Sequence, residues 1–91
     1  MFSIDKQPSE IAILLVEKIR VLRKDRGYSQ KELADRTGIS LGSVKRFEQT
    51  GQISLESLLK IAHLLDKLSD FENILNPPKI DAKTMKKLFK S

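Results

Sequence analysis

Lys45 and Arg46 are adjacent cations in the run Ser40-Leu41-Gly42-Ser43-Val44-Lys45-Arg46-Phe47-Glu48-Gln49-Thr50. Val44 and Phe47, three positions apart, mark the inner face of a short helix, which leaves the two cations on its exposed side. Side chains of this kind hold anions and hydrogen-bond acceptors without covalent chemistry. Residues 29–51 as a whole read as one short helix, a tight glycine turn and a second, basic helix. That arrangement suits insertion of the second helix into a DNA major groove.

Groups that would support other chemistry are scarce. The chain has no cysteine, which removes disulfides and thiolate metal sites. Its one histidine, His63, falls in a predicted helix without the spacing of a metal site. No glycine loop is arranged to cradle phosphate, so an enzyme is not expected. The lack of tryptophan and the low aromatic content argue against a stacking platform for single strands. Glu48 is read as orienting Arg46 or capping local hydrogen bonds.

Charge follows the same pattern. The net charge is +5, but residues 18–46 alone carry +6 and residues 76–91 carry +4. Residues 1–17 carry −2 and residues 47–75 carry −3. A basic region beside an acidic one is the footprint of a phosphate-docking face.

The elements that must position these residues are helices. At 91 residues the chain is one domain with one small core. Gly27, Gly38 and Gly51 each follow an apolar-periodic segment, where a left-handed residue closes a helix. Ser29 with Glu32 and Ser69 with Glu72 read as capping boxes, and Ser40 and Ser54 as N-caps. No segment keeps a strand's two-residue alternation. The spacing predicts helices over 9–26, 30–37, 41–49, 55–66 and 70–75, an all-α bundle.

The predicted core draws Leu15, Ile19 and Leu22 from the first helix and Leu33 and Ala34 from the second. Ile39 plugs the turn, and Val44 and Phe47 come from the third helix. The fourth supplies Leu55, Leu58, Leu59, Ala62 and Leu65. Helix one is more apolar than one face requires, through Ile11, Ile13, Leu14, Val16 and Val21. Some of these should be covered by Phe71, Ile74 and Leu75, and the remainder would form an exposed patch of the kind that meets partners.

The apolar run 11–16 is too short to span a bilayer and is followed at once by Glu17, Lys18 and Arg20. Signal-peptide features are lacking, so a cytoplasmic location is expected. The domain reading is an N-terminal arm over 1–8, a helical domain over 9–75 and a basic tail over 76–91. Pro77-Pro78 ends the helical run. The tail is expected to be flexible when free, with Ile80, Met85, Leu88 and Phe89 forming a weak apolar stripe if it becomes helical.

Taken in order, Ser29-Gln30-Lys31-Glu32-Leu33-Ala34, Thr37-Gly38-Ile39-Ser40, Val44-Lys45-Arg46-Phe47-Glu48 and Ser54-Leu55-Glu56-Ser57-Leu58-Leu59-Lys60-Ile61-Ala62 closely resemble the phage-repressor-like (Cro/CI, or XRE) helix-turn-helix family. The similarity covers about residues 15–66. It implies a five-helix, lambda-repressor-like domain with a basic tail. Its third helix would read double-stranded operator DNA, usually as a homodimer, and no cofactor is implied.

The resemblance also implies roles. Gln30 matches a glutamine that binds a backbone phosphate, which fixes register without reading sequence. Ser29, Ser40, Gln49 and Thr50 join it as phosphate contacts. Leu41, Gly42, Ser43, Lys45 and Arg46 fall at positions of base readout. Arg46 suits the O6 and N7 acceptors of guanine. Leu41 and Gly42 stand where the best-known members carry hydrogen-bonding residues, so readout rests on Ser43, Lys45 and Arg46, with a contribution from DNA shape.

A narrower likeness links residues 43–55 and 71–75 to small regulators paired with HipA-type kinase toxins. It implies an autoregulating antitoxin with a toxin partner. A protein-interaction module acting through helix one or the tail is the alternative to a repressor.

Overall fold

The computed structural model describes residues 6–78 and 86–88, and these form helices and turns with no strand. The main elements are α1 (Pro8–Asp25), α2 (Gln30–Thr37), α3 (Leu41–Thr50), α4 (Leu55–Leu64) and α5 (Leu68–Glu72). The all-α fold and its five helices match the sequence reading. None of the described helices is long and apolar enough to cross a membrane. The expectations for residues 1–5, 79–85 and 89–91 lie outside the described residues.

Local chemistry sets the boundaries. Pro8 opens α1, where its missing N–H costs nothing. Ser29, Ser40 and Ser54 cap α2, α3 and α4, each accepting from the backbone N–H three residues on. These bonds satisfy donors that a helix start leaves without partners. Glu32 turns instead to Arg36, 3.5 Å away within the same helix. Gly38 ends α2 at φ 79° and Gly51 ends α3 at φ 80°. At Gly51 an added Cβ would also lie 3.1 Å from the Ala12 Cβ, so α1 passes close to that turn. Left-handed backbone and close approach both select glycine there.

The expected cap of the last helix is corrected. α5 begins at Leu68 with Lys67 before it, so Ser69 lies inside the first turn and makes no cap. The cause is the sharp exit from α4. Asp66 adopts φ 59°, and the Lys67 N–H donates to the Ala62 carbonyl at 2.8 Å. Arg26 holds this turn through Asp66 at 2.7 Å and the Leu64 carbonyl at 3.3 Å.

Packing of α3 on α1 and α2, of α2 on α4, and of α4 on α5 encloses one core. Val16, Ile19, Leu33, Ala34, Ile39, Val44, Phe47, Ile61, Ala62 and Leu65 are buried. Leu15, Leu22 and Leu58 pack against them from its edge. Two expectations need correction. Val16 and Ile61 lie in the centre, whereas Leu55, in the first turn of α4, is two-thirds exposed. The inward stripe of α1 runs through Val16, Ile19 and Arg23: Ile19 is buried as expected, while Val16 and Arg23 take the central places expected of Leu15 and Leu22, which lie at the core's edge.

The apolar surplus of α1 is left open. Ile11, Ile13, Leu14 and Val21 are exposed, as are Ile74 and Leu75. α5 ends before Ile74, so Phe71 alone of the three proposed covers faces α1. It joins Leu15, Ile19, Val21 and Leu22 around a cleft of about 420 Å³.

Candidate nucleic-acid interface

α3 is a helix with one buried and one open side. Val44, Phe47 and Glu48 are buried. Gly42, Ser43, Lys45, Arg46, Gln49 and Thr50 are exposed. Leu41 is half-buried and packs against the core, which leaves it less surface than the other candidates for base readout.

Buried Glu48 anchors this helix. Its carboxylate accepts from Arg23 Nε at 2.8 Å and Nη2 at 3.1 Å, both on α1. It also accepts from Gln30 Nε2 on α2 at 3.0 Å, and from Arg20 Nε at 3.4 Å. Arg20 reaches the Glu48 carbonyl at 3.1 Å, and Arg23 reaches the Tyr28 carbonyl at 2.8 Å. One carboxylate therefore ties α3 to α1 and α2. Burial pushes its pKa up, but the hydrogen bonds from Arg23 and Gln30 and the charges of Arg23 and Arg20 outweigh that effect. The group is held below the usual carboxylate range.

Glu48 does not orient Arg46, which corrects one of the two sequence-based roles. It faces inward, while the Arg46 Nη2 donates to Gln52 Oε1 at 2.5 Å. Gln52 went unnoticed in the sequence because it falls after the helix-ending Gly51. The left-handed turn at Gly51 brings the chain back alongside Arg46. Arg46 and Gln52, with Ser43, Ile53, Ser54 and Ser57, line a cleft of about 300 Å³.

The other candidates are distributed as follows. Ser40 Oγ accepts from the Ser43 N–H at 3.1 Å and donates to Ser43 Oγ at 2.9 Å. Ser29 Oγ accepts from the Glu32 N–H at 3.0 Å. Thr50 Oγ1 donates to the Arg46 carbonyl at 2.7 Å, so its proton is already engaged. Gln30 occupies the first position of α2 with its amide turned to Glu48. Ser29 and Gln30 open α2, whereas Ser40 through Thr50 follow the length of α3.

Much of the positive charge of residues 18–46 is internally compensated. Arg20 and Arg23 meet Glu48, and Arg26 meets Asp66. On α2, Lys31 pairs with Asp35, and Arg36 pairs with Glu32 while lying 4.7 Å over the Tyr28 ring. Of the cations in this segment, Lys18 and Lys24 on α1 and Lys45 and Arg46 on α3 pair with no carboxylate among the described residues. α3 thus presents uncompensated charge on a helix fixed from behind. His63 is exposed near the end of α4, and the described residues contain no cluster of groups able to hold a metal ion.

Comparison with known proteins agrees with this geometry. A family model described as helix-turn-helix matches residues 19–71, from the second half of α1 to Phe71. A Pyrococcus furiosus protein named as an HTH-type transcriptional regulatory protein is 36% identical over 52 residues. That match covers 56% of this chain and 16% of the relative, so the chain spans a small part of the relative's length. No solved structure matches the chain.

Proposed function

Because the chain belongs to the helix-turn-helix family, we propose that it is a cytoplasmic DNA-binding transcriptional regulator, a dimeric repressor reading the major groove of its operator with α3. The observation that carries this reading is the pair Lys45 and Arg46, exposed and uncompensated on a helix whose opposite side is locked by Phe47 and Glu48. Arg46 meets base edges, and Ser43 and Lys45 lie beside it on the same open side. Gly42 permits close backbone approach. Leu41 offers apolar contact at most. Ser29, Gln30 and Gln49 are assigned to phosphate, where they fix register; Ser40 and Thr50, also expected there, donate to phosphate only by releasing the Ser43 hydroxyl and the Arg46 carbonyl. Such a protein acts by occupying DNA, so it needs neither catalytic groups nor a cofactor.

Arg46→Ala is expected to weaken operator binding by about 1–3 kcal/mol and to relax base preference at one position of each half-site. Gln30→Ala weakens binding by a similar factor on every sequence. Titration of labelled duplexes at several salt concentrations separates the two. Unchanged affinity and preference in Arg46→Ala would remove α3 from the role of reading element.

The open apolar side of α1 favours a second reading, an antitoxin or adaptor that binds a protein partner such as a HipA-like kinase toxin. Exposed Ile11, Ile13, Leu14 and Val21 supply the surface. Deleting residues 76–91 tests whether the tail is the partner arm. Partner binding then fails while operator binding survives. A fall in operator affinity with a flatter salt dependence would instead make the tail a phosphate-binding arm.

A further inference from the structure

Arg46 is held in a ring of three hydrogen bonds. Its carbonyl accepts from Thr50 Oγ1 at 2.7 Å, and that hydroxyl accepts from the Gln52 N–H at 3.1 Å. The ring closes where Gln52 Oε1 accepts from Arg46 Nη2. Backbone and side chain of Arg46 are therefore both tied to the turn after α3. The acceptor is a neutral amide, so the guanidinium keeps its full charge. One of its five N–H donors is used, and the remaining ones are enough for a bidentate contact to a base edge or a phosphate.

We infer that Gln52 is a positioning residue for Arg46, fixing the guanidinium before DNA arrives and thereby setting how sharply it discriminates bases. This rests on the proposed reading of DNA by Arg46. An unrestrained arginine loses considerable rotamer freedom on binding. A guanidinium already held in place loses less, which is the advantage of preorganisation. It also excludes orientations in which Arg46 would turn to a phosphate instead of a base.

The test uses the full chain, a duplex recovered by selection from a random-sequence library, and single-base-pair variants of that duplex. Gln52→Ala is expected to lower discrimination at the base pair read by Arg46 by roughly two- to tenfold, the equivalent of ordering one long side chain. Discrimination elsewhere stays as it was, and the thermal midpoint moves little because Gln52 is exposed. In Arg46→Ala, the further change Gln52→Ala has no effect on preference, since there is no guanidinium left to hold. Gln52→Glu keeps the acceptor but adds a negative charge, so it retains the preference while weakening binding to all duplexes.

An equal loss on every duplex in Gln52→Ala, additive with Arg46→Ala, would overturn the inference and make Gln52 an independent phosphate contact. Preference lost in Arg46→Ala but kept in Gln52→Ala would overturn the inference alone. Preference kept in both would overturn the reading by Arg46 as well.

Discussion

Glu48→Ala is expected to destabilise the fold by about 3–5 kcal/mol, the cost of removing one partner from a buried ion pair. The Glu48 side chain is 2% exposed, and that of Arg23 is 9% exposed. Removing the carboxylate leaves the Arg23 charge buried against α3 and Gln30 without its acceptor. Glu48→Gln restores an acceptor but not the charge, so it falls between Ala and wild type. Chemical denaturation of the three proteins measures the effect. A loss below about 1 kcal/mol in Glu48→Ala would show that this network contributes no more than a surface pair.

The same carboxylate makes stability depend on pH. Its pKa in the folded chain lies below the ordinary value, because the arginine and glutamine partners outweigh burial. A depressed carboxylate contributes stability that is fully present above its unfolded pKa, about 4.3. That contribution is lost as pH falls through the lower folded value. Wild type should therefore lose more stability than Glu48→Gln on acidification from neutral pH to below that range. Parallel curves for the two proteins would assign the acid sensitivity to other groups.

Phe47→Ala is expected to cost about 3–5 kcal/mol, from lost burial and the cavity left behind. Phe47 is 1% exposed and is among the largest fully buried side chains. A small domain has about 5–15 kcal/mol in total, so the variant should lose most of its margin. Its helical circular dichroism then melts at much lower temperature, and DNA binding falls with the folded fraction. Phe47→Leu keeps an apolar side chain and should be tolerated far better. A Phe47→Ala midpoint within a few degrees of wild type would mean that the core closes around the gap.

The sequence made the fold legible where local chemistry and tertiary packing agree. Ser29, Ser40 and Ser54 cap the helices expected of them, and Gly38 and Gly51 close the two helices of the motif. Ser69 failed as a cap because Asp66 took a left-handed turn and started α5 earlier. Glycine marks such turns in a sequence, whereas a left-handed aspartate leaves no comparable trace. In α1, Ile19 is buried as expected, but Val16 and Arg23 stand at the centre in place of Leu15 and Leu22. Leu15 and Val16 are both apolar, so composition alone did not separate them, and Arg23 enters the buried face only because Glu48 meets it there.

The candidate interface divides similarly. The exposure of Lys45 and Arg46 followed from the spacing of Val44 and Phe47. Compensation of Arg20, Arg23 and Arg26 depends on Glu48 and Asp66, which are distant in sequence. The +6 segment therefore overstates the free charge of its surface. Among the described residues, α3 carries two of its four unpaired cations, Lys45 and Arg46, the other two being Lys18 and Lys24 of α1. Gln52 was invisible for a related reason, since its role depends on the direction of the turn at Gly51.

Selection from a random-sequence duplex library, run in parallel with the intact chain and Arg46→Ala, tests the central claim most directly. The account predicts a palindromic motif for the intact chain, with half-sites about one helical turn apart. It predicts that Arg46→Ala loses or changes the preference at one position in each half-site. No enrichment at low or moderate salt, or the same motif from both proteins, would contradict it.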